Sequence, residues 1–372
     1  MLDFLNLKIE TFGLDINDTS FKITKLKKKH GFLQLVSYGE KIVPKNIIEE
    51  GEIKDEDGFV KTLKLALTDI KGEKFKTKYV SASLPEQKSF SQVIKMPKME
   101  EKELKTAIVF EAENYIPLPA EQMYLDYKII SPKDSKSNKL DVFIIAVEKR
   151  IVDSYVSCLK RSGLIPVALE GETQLIAKVL VKDEKSLDPI VLIDIGGDSS
   201  SLAVFAEHAV KFTSSLSISS RKITESIINS LGISLREAEH MKTKYGVGFK
   251  NPNHRAKAVV KATEPILNEM VVETKKYLDF YAEHDFSENS SNSKKEKNKI
   301  EKIILSGGGA SLKGIEEFLS KKLNICVEIG NPWINFSNKI KNKIPRDFDK
   351  KSLSFVTSLG LSLTKIDIER FK

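Results

Sequence analysis

The sequence predicts an α/β protein built as a duplicated two-lobe fold. Short apolar strands alternate with amphipathic helices along most of the chain, and one local pattern occurs twice. Asp15-Ile16 and Asp194-Ile195 each end an apolar strand, precede a turn of small or polar residues and lead into a second strand. The two copies stand about 180 residues apart, and recurrence at that spacing marks a duplication.

Composition narrows the function classes. Of 372 residues, 41% are apolar and 30% charged, enough to build a core and too apolar for a disordered chain, a collagen or a disulfide scaffold. The 60 Lys+Arg against 52 Asp+Glu give a net charge of +8. The lysines are interspersed with acids rather than gathered in a stripe. They read as a solvated surface, and no nucleic-acid partner is expected. Cys158 and Cys326 stand far apart without paired spacing, so neither a disulfide framework nor a structural zinc site is expected, and a reducing compartment fits. Both are expected in the core, one on a helix and one on a strand. The longest apolar runs fall well short of the ~20 residues of a membrane span. Met1 to Glu10 lacks a basic region followed by an apolar stretch, so it does not read as a secretory signal.

Each element follows from local pattern. Alternation over Lys8–Leu14 and Phe21–Leu26 predicts a hairpin with its tip at Asp15–Ser20, and Phe32–Val36 a third strand. Helical spacing marks Gly58–Ile70, and Tyr79–Leu84 is a strand stopped by Pro85. A small unit follows. Met99–Tyr115 is a helix ended by Pro117 and Pro119, and Tyr124–Ile130 and Val142–Val147 form a hairpin across the polar turn Ser131–Lys139. Lys149–Ser162 is a helix closed by Gly163, and Thr173–Val181 a helix. Strands are expected at Ile190–Ile195, Ser199–Phe205 and Val210–Leu216, and helices at Ser219–Leu231, Ser234–Tyr245 and Ala256–Tyr281. Ser287–Asn298 is polar and of low complexity, a flexible loop. The strand Lys302–Leu305 runs into Ser306-Gly307-Gly308-Gly309, followed by a helix over Leu312–Leu323, a strand at Cys326–Ile329 and a last helix at Leu353–Leu363.

Three turns carry chemistry. In Asp15-Ile16-Asn17-Asp18-Thr19-Ser20-Phe21-Lys22, turn amides and the Thr19 and Ser20 hydroxyls suit phosphate oxygens, Asp15 suits a hydrated Mg²⁺, and Lys22 adds a compact charge. Asp194-Ile195-Gly196-Gly197-Asp198-Ser199-Ser200 repeats that logic, with glycines that let backbone approach an anion. The glycine turn at 307–309 suits a base, ribose or phosphate. It lacks the spacing of a P-loop or a dinucleotide fingerprint. The five histidines show no metal spacing, and no Gly-x-Ser-x-Gly elbow is present.

In this order the three turns resemble the phosphate 1, phosphate 2 and adenosine motifs of the actin/Hsp70/sugar-kinase ATPase superfamily. Within it, four stretches resemble the PilM family of type IV pilus assembly. These are Glu111-Ala112-Glu113-Asn114-Tyr115-Ile116-Pro117-Leu118-Pro119 with Leu125-Asp126-Tyr127, the stretch from Ala146-Val147 to Pro166, Glu237-Ala238-Glu239-His240-Met241-Lys242, and Asn331-Pro332-Trp333. The resemblance spans nearly the whole chain. It implies an actin-like (ribonuclease H-like) duplicated fold with the nucleotide between two lobes and an inserted subdomain placed as in FtsA. The implied division is 1–84 (subdomain 1A), 85–165 (insert 1C), 166–189 (return to 1A), 190–217 (2A), 218–300 (2B), 301–350 (2A) and 351–372 (return to 1A).

The resemblance also implies roles. ATP or ADP with Mg²⁺ is the expected ligand. Asp15 and Asp194 would hold Mg²⁺ through water. Asn17, Thr19, Ser20, Lys22, Gly196, Gly197 and Ser200 would meet phosphates, Glu239 and Lys242 the ribose or adenine, and Gly307, Gly308 and Gly309 the adenosine. Glu170 or Glu172 would orient water. The partner would be the cytoplasmic N-terminal segment of the inner-membrane protein PilN, in a groove around Tyr79–Leu84 and Glu103–Pro119, with other pilus assembly proteins and motors beyond it. The protein would then be cytoplasmic and reach the membrane only through partners.

Departures from the family pattern set further expectations. Asn17 stands where the family usually has Gly, Asp18 and Asp198 add negative charge, and Ser219-Ser220 replace a common Gly pair. Nucleotide affinity is therefore expected to be reduced, and ATP hydrolysis slow at most. Two alternatives are an FtsA-like cell-division membrane tether, against which the short stretch Lys365–Lys372 without an apolar face argues, and a sugar or acid kinase on the same fold.

Overall fold

Period-two stretches became strands and period-3.6 stretches became helices nearly everywhere the sequence marked them. The structure is a computed structural model that describes residues 10–29, 32–116, 118–130, 138–186, 188–248, 253–283, 299–336 and 344–364. The loop at Ser287–Asn298, most of the turn at Ser131–Lys139, Pro117 and Lys365–Lys372 lie outside the described residues.

In chain order, the hairpin β1 (Phe12–Ile16) and β2 (Ser20–Lys29) leads to β3 (Phe32–Ile42). The short ladder β4 (Ile48–Glu49) and β5 (Glu52–Ile53), α1 (Glu56–Thr68), β6 (Lys71–Gly72) and β7 (Tyr79–Leu84) follow. Next come β8 (Ser89–Pro97), α2 (Glu101–Ala112), β9 (Met123–Ile129) and β10 (Lys139–Glu148). α3 (Lys149–Arg161), β11 (Ile165–Gly171) and α4 (Glu172–Leu180) follow. The remainder holds β12 (Ile190–Ile195), β13 (Ser200–Ala206), β14 (Ala209–Leu216), α5 (Ser220–Leu231), α6 (Leu235–Tyr245) and α7 (His254–Glu283). It ends with β15 (Lys302–Ser306), α8 (Ile315–Leu323), β16 (Cys326–Ile329), α9 (Arg346–Asp349) and α10 (Val356–Leu363).

The contacts divide the chain into two units. The first holds Met1–Ser89, Val147–Val179 and Trp333–Lys372; the second holds Phe90–Ala146 and Leu180–Pro332. The first unit is built on a sheet of order β11-β7-β1-β2-β3-β6, and the second on a sheet of order β14-β13-β12-β15-β16. The two orders share one scheme. In each, the strand ending in Asp-Ile pairs antiparallel with the next strand in sequence and parallel with a later one. The duplication is therefore one of topology as well as of motif.

In the first unit α10 lies directly on β1. A Cβ on Gly13 would stand 2.2 Å from the Ser358 carbonyl oxygen, so only glycine permits that approach. The Ser362 hydroxyl accepts the Gly13 N–H at 3.1 Å and meets Thr24 at 2.9 Å, which fixes the helix against the hairpin. In the second unit the sheet core is Val191, Ile193, Leu202, Val204, Ile303 and Leu305, with Leu267, Met270 and Leu319 packed on it from α7 and α8. The sheet β8-β10-β9 and α2 enclose their own core of Ile94, Leu104, Ile108, Val142 and Ile144.

Three expectations need correction, and one strand was not expected. β11 was not marked by the sequence. Its burial runs without alternation and Pro166 interrupts it, yet β7 holds it in parallel register across a bulge. The strand Tyr79–Leu84 offers no edge for a partner, because β1 and β11 flank it on both sides. The helix after the glycine turn starts at Ile315 rather than Leu312, since Gly308–Ser311 form a tight turn first and Gly314 takes φ +79°. Cys326 is exposed, not core: on the edge strand β16 it alternates outward while Val327 faces inward.

Candidate functional site

In the first unit the hairpin register sets Asp15 opposite Lys22, and the Lys22 ammonium lies 3.8 Å from the Asp15 carboxylate. The Ser83 hydroxyl at the end of β7 donates to Asp15 Oδ1 at 3.3 Å and accepts the Ile16 N–H at 2.9 Å. Asp15 is buried, and burial pushes its carboxyl up from the ordinary range against the opposing pull of Lys22, Ser83 and Asn17. A buried carboxylate of this kind gains from a nearby cation.

The tip of the hairpin is narrower than Asp15–Ser20 and is organised by Asn17. Its side-chain oxygen accepts the Thr19 and Ser20 N–H groups at 3.1 and 2.9 Å and the Thr19 hydroxyl at 2.9 Å. Asp18 is directed to Gly51, whose N–H donates to it at 2.9 Å. Glu170 does not stand open to a ligand: Lys178 lies 3.2 Å away and the Thr364 hydroxyl donates to it. Glu172 sits in the first turn of α4, where its charge suits the helix N-terminus.

In the second unit the equivalent aspartate is held the same way. The Ser306 hydroxyl at the end of β15 donates to Asp194 Oδ1 at 2.6 Å. The parallel neighbour thus supplies a serine to the aspartate in both repeats. A Cβ on Gly196 would stand 2.4 Å from the Ser199 carbonyl oxygen, which makes glycine obligatory there. The Ser200 hydroxyl is buried and has no hydrogen-bond partner among the described residues. Asp198 forms an ion pair with Arg221, so its charge is offset.

The turn 196–197 is tied to the start of α5, because Ser220 and Arg221 N–H groups donate to the Gly196 and Gly197 carbonyls, each at 3.0 Å. Ser219 caps α5 by accepting the Lys222 N–H at 3.3 Å. The Lys242 ammonium on α6 reaches the Ser220 hydroxyl at 3.0 Å, the Thr224 hydroxyl at 2.6 Å and Glu239 at 2.9 Å. Glu239 and Lys242 are thereby brought to the same end of the sheet as Asp194. So is the glycine turn. Cβ atoms on Gly307 and Gly309 would stand 2.4 and 2.3 Å from Ile195 atoms, while Gly308 is exposed.

Residues the sequence reading did not single out include Ser83, Ser306, Thr224 and Arg221. Ser306 had a visible signal, since it stands where a strand meets a glycine turn. Ser83 and Thr224 had none, because each matters only through a neighbour distant in sequence.

A profile of the family described as "Type IV pilus assembly protein PilM" matches residues 13–366. The cell division protein FtsA of Bacillus subtilis is 30% identical over 156 residues, 38% of this chain and 35% of FtsA. FtsA of Pseudomonas aeruginosa is 22% identical over 258 residues, 60% of this chain and 58% of that protein. The chain therefore aligns with less than two thirds of either relative. Among solved structures, a "PilM-PilN type IV pilus biogenesis complex" superposes with a TM-score of 0.80 at 23% identity, covering 97% of this chain and 99% of that one. MreB 5 of Spiroplasma citri bound to AMPPNP superposes with a TM-score of 0.52 at 13% identity, covering 97% of each chain. The fold is that of the actin-like ATPases.

Proposed function

This chain belongs to the type IV pilus assembly protein PilM family, and we propose that it acts there as an ATP-binding scaffold that engages the cytoplasmic N-terminal segment of a PilN-type inner-membrane protein. The observation that carries the nucleotide half is the repeated device of a strand-end aspartate held by a serine of the parallel neighbour, Ser83 to Asp15 and Ser306 to Asp194. Full-length similarity to a chain of a PilM–PilN complex supports the partner half.

The residues fit a hydrated Mg²⁺ and a polyphosphate. Asp15 and Asp194 are carboxylates suited to a cation held through water, which is how Mg²⁺ commonly binds beside phosphates. Ser200 offers a buried hydroxyl without a partner among the described residues, and Gly196 carries no side chain of its own over its backbone. Lys22 adds a positive charge. Gly307 and Gly309 are consumed by packing on Ile195, so contact with adenosine falls to Gly308. Glu239 and Lys242 form one linked pair for the ribose or base. Bound ATP would supply charge and a conformational bias, and these residues hold it rather than cleave it. With Glu170 tied to Lys178 and Thr364, turnover is slow at most.

Among the described residues no helix is long and apolar enough to cross a membrane. In this reading the PilN-type partner recruits the protein to the membrane. The partial FtsA matches follow from the shared fold, and the pilus reading stands ahead of a cell-division tether.

Calorimetric titration of ATP with Mg²⁺, followed by titration of a PilN-type N-terminal peptide with and without ATP, tests both halves. The wild type should bind ATP, and Asp15→Ala and Asp194→Ala should each abolish it. The peptide should bind, with an affinity that depends on ATP. No ATP binding by any form overturns the nucleotide half, and no peptide binding under either condition overturns the partner half.

A further inference from the structure

The two repeats differ at one position in a way that bears on the phosphate. Counted from the strand-end aspartate, Asn17 occupies in the first repeat the place Gly196 occupies in the second. Four donors converge on the Asn17 side-chain oxygen: the Thr19 and Ser20 N–H groups at 3.1 and 2.9 Å, and the Thr19 and Ser20 hydroxyls at 2.9 and 3.4 Å. Successive amides and hydroxyls aimed at one oxygen are the arrangement that binds an anion. Here the chain supplies the oxygen itself. In the second repeat Gly196 has no side chain to play that part, and the Ser200 hydroxyl is left buried without a partner among the described residues.

The backbone around Asn17 is held independently of that cradle. Its own N–H donates to the Ser20 carbonyl at 3.2 Å, and the Val43 N–H donates to the Thr19 carbonyl at 2.9 Å. Asp18 is anchored on the Gly51 N–H at 2.9 Å, and the Gly51 carbonyl accepts the Tyr155 hydroxyl at 2.9 Å. With the backbone pinned at these points, rotation of the Asn17 side chain alone can exchange the occupant of the cradle. Asn17 is not among the residues at positive φ, so other side chains fit its backbone.

We propose that Asn17 is a built-in phosphate surrogate: its amide oxygen fills the first phosphate turn, and a nucleotide phosphate enters only by displacing it. This rests on the reading that the turn meets ATP. A phosphate oxygen carries full charge and makes stronger bonds to the same donors, so the exchange runs forward, but each binding event must first undo four contacts. Asn17 thereby lowers nucleotide affinity and gives the turn two states, one closed on Asn17 and one closed on phosphate.

The test compares wild type, Asn17→Ala and Asn17→Asp, measuring ATP·Mg²⁺ affinity by calorimetry and hydrogen exchange at the Thr19 and Ser20 amides. Ala removes the surrogate and should tighten binding by roughly tenfold. Asp keeps the acceptor geometry and adds charge, and should weaken binding by at least about tenfold. Without nucleotide, the Thr19 and Ser20 amides should exchange slowly in wild type and fast in the Ala variant, and ATP should restore protection in the latter. If wild type binds ATP and the Ala variant binds no tighter, the surrogate role is overturned while the nucleotide reading survives. An Ala variant that binds where wild type does not supports the surrogate role. If no form binds, both fall. Should thermal unfolding show the Ala variant misfolded, a folded Asp variant that binds as tightly as wild type overturns the proposal by itself.

Discussion

At the scale of single residues, the glycine turn is decided by what lies beneath it. Gly307 takes φ +82° and its missing Cβ would stand 2.4 Å from the Ile195 carbonyl oxygen. Gly307→Ala should therefore destabilise the protein by about 2 kcal/mol or more in urea unfolding, through both backbone strain and a clash with backbone. Gly308→Ala, at an exposed position, should be close to neutral. From sequence these three glycines were equivalent; the structure separates two that pack inward from one that faces out. The same limit applies to Asn17 and Asp18. Sequence placed both beside a phosphate, but whether a polar side chain offers its atoms to a ligand or to its own turn depends on hydrogen bonds that a motif does not encode. The cysteines divide as well. Burial pushes the Cys158 thiol up to about 12, keeping it protonated at neutral pH, whereas Cys326 is open to solvent.

At the scale of elements, α3 shows how charge fastens a helix. Arg150 pairs with Glu52 on β5, and Arg161 with Glu56 and Asp57 at the start of α1. The Arg150 guanidinium, helped by Lys54, holds the Glu52 carboxyl down at about 2. Because that value is lower folded than unfolded, the stabilisation is present above the ordinary glutamate range and is lost as pH falls from there through about 2. Glu52→Gln should accordingly flatten the acid side of a stability-versus-pH curve while changing little of its shape at neutral pH, as measured by thermal unfolding. A curve of unchanged slope would show that the pair contributes nothing. Most elements were legible because local periodicity and helix stops such as Gly163 are properties of adjacent residues. β11 was not, because a half-buried parallel edge strand without alternation, interrupted by Pro166, is recognisable only from its partner β7.

At the scale of the molecule, the contacts group Phe90–Ala146 with Leu180–Pro332. Two polar links between β8 and β10 on one side and β14 on the other help explain this. The Ser91 and Thr213 hydroxyls meet at 2.5 Å, and buried Lys211 lies 4.0 Å from buried Asp141 and 3.0 Å from Glu207. Removing one partner from a buried ion pair leaves the other charge uncompensated, which typically costs more than the pair contributes. Lys211→Met should lower unfolding stability by roughly 3 kcal/mol and speed proteolytic cleavage within residues 90–146. A variant as stable as wild type would show that these links are dispensable.

The sequence by itself determined the duplicated α/β plan, the three turns and the family, because those are carried by residues close together in the chain and by their order along it. Only the tertiary structure decided that the two sheets share one strand scheme, that a distant serine holds each aspartate, that Asn17 closes its own turn, and where residues 90–146 dock. Each of those depends on partners many residues apart, and which of several polar groups pairs with which is settled by burial, where an unpaired polar atom is costly.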